Sequence, residues 1–213
     1  MADELAGMNV TRDGEAYGVR RETREAAIEV KLDLGTRRDG QLATGLAFFD
    51  HMLEMLGWWG DLVVDARYES RTFRLTHVIC EDIGLALGRA CAAVIRDRIG
   101  DGVESSGFAH APMDEASAFS QISFEGRSHA FVTRGGAATV EHVEDMLAAD
   151  LVAFFEGFSQ GARATLHLRL ENAADAHHAW EAGFRAFARA LRAALKLNPR
   201  RAGMTAGVKG TLD

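Results

Sequence analysis

The sequence predicts an α+β sandwich made of two similar halves. Three observations carry that reading. Strand-type alternation and helix-type periodicity follow one another in the same order twice. Each half ends in a long amphipathic helix that opens on a histidine and a glutamate four residues apart. The paired residues, His77 with His177 and Glu81 with Glu181, lie one hundred positions apart.

Taken in order, residues 1–20 read as a polar leader. "AAIEVKLDL" (26–34) then alternates apolar and charged side chains, as a strand with one solvated face does. The turn-rich "GTRRDGQ" follows, and from Ala47 to about Trp59 apolar residues recur at helical spacing. "DLVVDARYE" (61–69) alternates again, and "HVICEDIGLALGRACAAVIRDRI" (77–99) is a long amphipathic helix. "GDGVESSGFAHAPMDEA" (100–116) reads as a loop. The second half repeats the plan: a hairpin in "FSQISFEGRSHAFVT" (119–133), a helix in "VEDMLAADLVAFFEGFSQGA" (143–162), a strand in "RATLHLRLE" (163–171) and a second long helix in "DAHHAWEAGFRAFARALRAALKL" (175–197). The half-repeats are set at 21–110 and 111–213. Neither half buries its apolar faces alone and no Pro/Gly/Ser linker divides them, so the two form one compact unit.

The composition agrees. A chain of 213 residues with 47% hydrophobic content supports one sizeable core. The formal net charge is −7 and no basic tract is interleaved with aromatics, which disfavours a nucleic-acid surface while leaving room for a local basic pocket that takes a phosphorylated small molecule. No apolar run reaches the roughly eighteen residues of a membrane span, and the charged N-terminal stretch lacks the apolar segment of a signal peptide, so a cytoplasmic location is expected. Cys80 and Cys91 sit eleven positions apart in one helical stretch, about three turns, too far to bridge; they read as core thiols.

The chemistry gathers on histidines and carboxylates. At four-residue spacing His77 and Glu81 share one helix face, as do His177 and Glu181, close enough for each pair to hold one ion. His178 is turned about 100° from His177 and addresses a different neighbour, so adjacent histidines can serve two metals. In the first copy that position is Val78. His51 in "FFDHML" and His167 in "TLHLRL" are further donors. A mixed imidazole and carboxylate shell suits Mn²⁺, Fe²⁺ or Zn²⁺. A lone His–Glu pair is more often a surface ion pair or a cap; two pairs in equivalent places are harder to ascribe to solvated faces.

These motifs, with "RRETREAAIEV", "TGLAFFDHML", "EDIGLALGRA", "PMDEA", "EGR", "HHAWEAGFRAFARALRAAL" and "KGTL" in order from about Arg21 to the C-terminus, resemble the imidazoleglycerol-phosphate dehydratase family. The resemblance implies a duplicated α+β fold of the ribosomal protein S5 domain 2-like type, with helices packed between two β-sheets. It also implies a manganese-dependent hydro-lyase of histidine biosynthesis, with one or two Mn²⁺ per chain, and trimers that assemble up to a 24-mer with metal sites between subunits. Carried over residue by residue, the ligands would be His51, His77, Glu81, His167, His177, His178 and Glu181. Glu25 would be an acid/base group, with Glu181 beside it in catalysis, and Arg127 and Lys209 would face the substrate phosphate. The family's logic is that the imidazole ring takes up charge while a carboxylate removes the proton beside it and hydroxide leaves. This chain departs at Val78, which cannot coordinate, at Trp59, which stands where the family's second helix histidine would be, in "GDGVESSG", which lacks the family's phosphate-binding arginine, and at Gly207, where the family has serine. The departures predict unequal metal sites. They also leave open an alternative reading, a divergent paralogue with altered substrate or no activity that acts as an oligomeric metal-binding protein.

Overall fold

The computed structural model describes residues 8–171 and 173–210. The first half supplies β1 (Met8–Asp13), β2 (Ala16–Glu22), β3 (Ala26–Asp33), β4 (Leu42–Ala43), α1 (Ala47–Gly60), β5 (Val63–Ser70) and α2 (Thr76–Arg98). The second supplies β6 (Ser106–Met113), β7 (Ala116–Ser123), β8 (His129–Arg134), the two-residue strands β9 (His142–Val143) and β10 (Met146–Leu147), α3 (Ala148–Ala162), β11 (Thr165–Leu170) and α4 (Ala176–Leu195).

The two-half plan is explicit in the sheets. One runs β1-β2-β3-β5-β4 and the other β6-β7-β11-β8. Without β1 they match strand for strand, down to the parallel pairing of β4 on β5 and of β8 on β11. The inward faces, among them Ile28, Val30 and Leu32 of β3 and Leu166, Leu168 and Leu170 of β11, are buried against the helices. The helices fill the space between the sheets, α2 against β2 and β3, α4 against β6 and β7, with α1 on α4 and α2 on α3.

Several expectations change. The polar leader is structured from Met8 on, because β1 pairs with β2 in register and needs no apolar alternation of its own at the sheet edge. The stretch read as a loop contains β6, hydrogen-bonded along its length to β7, so a boundary after 110 falls within a strand. The expected hairpin over 119–133 does not form: β7 and β8 lie on opposite sides of β11, which inserts between them from later in the chain. The helix expected from 143 starts at Ala148.

Candidate metal centre

α1 and α4 pack side by side and bring three predicted ligands together. Donor atoms of His51, His177 and Glu181 lie within 4.8 Å of one another. Glu181 Oε2 stands 3.5 Å from His51 Nε2 and 3.3 Å from His177 Nε2. Ligands about 2.0–2.2 Å from one cation stand about 3–3.5 Å apart, so the spacing and the two-imidazole, one-carboxylate chemistry fit a divalent transition metal.

Local structure explains the convergence. Asp175 caps α4, its Oδ1 accepting the backbone N–H groups of His177 (2.7 Å) and His178 (3.3 Å), which fixes both histidines in the first turn. Asp145 caps α1 from the other half, accepting the N–H groups of Ala47 (2.9 Å) and Phe48 (3.1 Å). Its neighbour Glu144, at a left-handed φ of 49°, places Oε1 3.0 Å from His177 Nδ1. That contact turns Nε2 of His177 toward Glu181, the orientation that a carboxylate behind a metal-binding imidazole provides. The Phe48 ring packs on His177 at a centroid distance of 5.0 Å.

Glu181 itself is 4% exposed. Burial pushes its carboxyl up, but hydrogen bonds and charge from Arg185, with a smaller contribution from His51, hold it below the usual carboxylate range. It is therefore an anion, the form a metal needs.

The remaining predicted residues lie elsewhere in the chain. His178 turns away, its ring at 84° to that of His177, and meets Glu115 at 2.8 Å. Its pKa is raised by that bond, and Glu115, which also accepts the N–H groups of Ala174 and Asp175, is pulled down to about 2. His77 and Glu81 lie on α2; His77 Nδ1 is 3.8 Å from Oδ1 of the buried Asp150, whose Oδ2 has no hydrogen-bond partner among the described residues. His167 projects from the outer face of β11 and stacks on Phe131 at 4.7 Å. It lines a cavity of about 710 Å³ with Arg127. Gly207, two residues before Lys209, passes the cavity wall at Glu125. Glu25 is exposed just before β3, and its charge is felt by Tyr68 and by Asp82 of α2. The chain thus groups three predicted ligands at α1 and α4, and puts Glu25 with the His77–Glu81 end of α2 and Arg127 with His167 on the outer sheet face. Sequence reasoning missed Glu115, Glu144, Asp145 and Arg185; of these only Arg185, four residues after Glu181, carried a spacing signal.

With that geometry in view, the comparisons with known proteins are consistent. The family model described as imidazoleglycerol-phosphate dehydratase matches residues 44–191. The imidazoleglycerol-phosphate dehydratase of Burkholderia orbicola (strain MC0-3) is 38% identical over 197 residues, covering 90% of this chain and 96% of its own. The solved dehydratase of Staphylococcus aureus superimposes with a TM-score of 0.73 at 26% identity, over 86% of this chain and 99% of that one. The IGPD of Pyrococcus furiosus does so with a TM-score of 0.74 at 29% identity, over 90% and 98%. By fold and sequence, the chain belongs to the imidazoleglycerol-phosphate dehydratase family.

Proposed function

We propose that the protein is a metal-dependent hydro-lyase that eliminates water from imidazoleglycerol phosphate in histidine biosynthesis, and that it works in the cytoplasm. The convergence of His51, His177 and Glu181 supports this reading most directly. These three side chains would hold Mn²⁺, with Fe²⁺ or Zn²⁺ as chemical alternatives. When bound, the cation supplies Lewis acidity that draws electron density from the substrate's imidazole ring.

The chain's own groups carry the remaining tasks. Glu144 and Asp175 orient His177, and the buried, ionised Glu181 keeps its Oε2 on the cation side. Glu25 serves as the acid/base group that moves the substrate's proton as hydroxide leaves. Arg127 and Lys209 bind the phosphate as charge-assisted donors. Because one chain separates these groups, we place the complete site between copies, with His77, Glu81, His167 and His178 contributing to a neighbour's site in trimers and in assemblies up to a 24-mer. Val78, in the first copy of the motif, leaves a second metal position one ligand short.

The test is a dehydration assay on imidazoleglycerol phosphate with added Mn²⁺. The reading expects turnover that falls by at least about 10²-fold in His177→Ala and in Glu25→Gln. Full-length, folded, manganese-loaded protein without turnover would favour the non-catalytic metal-binding alternative.

A further inference from the structure

The two oxygens of Glu181 have different partners. Oε2 faces His51 and His177, whereas Oε1 accepts Nε and Nη2 of Arg185 at 3.0 and 2.5 Å. The same guanidinium donates through Nη1 to the carbonyl of Pro112 on β6 at 3.0 Å. Its face lies on the half-buried ring of Trp59, in the last turn of α1, 4.9 Å from the centroid. Arg185 is thus fixed by the carboxylate, by a carbonyl and by an aromatic face, and only 18% of its side chain is exposed. A forked, planar cation can hold both bonds to one oxygen while stacked on a ring; an ammonium cannot.

We infer that Arg185, held in place by Trp59 and the Pro112 carbonyl, is a positioning residue that makes Glu181 a one-oxygen ligand, reserving Oε2 for the divalent cation. The inference rests on the reading of His51, His177 and Glu181 as a metal centre. It predicts a sign that simple electrostatics does not. Deleting a cation near the site should, by Coulomb's law alone, strengthen its hold on another cation. Releasing the carboxylate from its fixed orientation weakens it.

Mn²⁺ binding to the purified full-length protein, followed by calorimetry and by the electron paramagnetic resonance of bound Mn²⁺, separates the two. Arg185→Ala is expected to weaken binding by about 10–100-fold. Arg185→Lys should recover only part of that loss, and Trp59→Leu should weaken binding by a smaller factor. Arg189→Ala, which removes a second cation 6.0 Å from the same ring, should leave it unchanged. Should Arg185→Ala fail to fold, Arg185→Lys and Trp59→Leu decide the matter. Folded Arg185 or Trp59 variants that bind Mn²⁺ as tightly as the wild type, or more tightly, overturn the positioning role alone. Wild-type protein that binds no Mn²⁺ overturns the metal reading beneath it, and the role with it.

Discussion

Burial pushes the Glu181 carboxyl up while Arg185 pulls it further down, so the side chain is both a ligand candidate and one half of a buried ion pair. Glu181→Gln keeps the shape and removes the charge. It is expected to abolish tight Mn²⁺ binding and to lower the free energy of unfolding by about 1–3 kcal/mol, since Arg185 loses its charged acceptor; chemical denaturation checks the second value. A residue far from the site gives a pH prediction. Burial of Asp65 raises its pKa, but a double hydrogen bond from Arg38 and the Gln41 N–H outweigh this and lower it. A depressed carboxyl contributes stability that is present above its unfolded value and lost as pH falls through the folded one. Asp65→Asn should therefore flatten the fall in Tm below about pH 4 relative to the wild type. At this scale the sequence disclosed donors and concealed their partners. His177 and Glu181 were legible because they share a helix face, whereas Glu144 and Glu115, which orient His177 and His178, sit in turns 33 and 63 residues away in sequence.

Among the elements, the pair α2 and α3 sets how closely the two halves approach. Gly84 and Gly88 of α2 meet the carbonyls of Phe154 and Phe158, and Gly157 and Gly161 of α3 meet those of Glu81 and Leu85. A Cβ at Gly157 would stand 2.2 Å from the Glu81 carbonyl oxygen, and backbone cannot yield as a side chain does. Gly157→Ala should cost about 1–3 kcal/mol despite the helix propensity gained. Gly183→Ala, whose Cβ would meet the flexible side chains of Leu170 and Leu168 rather than a neighbour's backbone, should cost less; thermal unfolding of the two variants checks the order. The long helices were readable to within a residue or two because their apolar stripe is long and regular. β1 and β6 were not. Only Met8 of β1 is buried, and β6 carries Gly107 and Pro112, so both owe their strand state to pairing with a neighbour. The place of β8 beside β11 likewise depends on a strand that comes later in the chain, which no local pattern reports.

Across the whole molecule the sheets differ on their outer faces. The first carries Arg20, Glu29 and Arg67 in one cross-strand row. The second carries Phe108, Gln121, His167 and Phe131, with Phe108 74% and Phe131 50% exposed. We propose that this exposed aromatic face is where a second copy of the chain, the occupant that the proposed shared sites require, makes contact. Phe108→Asp combined with Phe131→Asp should reduce the native mass measured by light scattering without unfolding the subunit. The duplication itself was legible from the hundred-residue offset, and so was the inequality of its two copies at Val78. Both meet in one measurement, the stoichiometry of Mn²⁺ bound to the purified protein. The account predicts one tight equivalent per chain, lost in His177→Ala, and a second that is weak. Two equally tight equivalents, or a tight equivalent that survives His177→Ala, would contradict it.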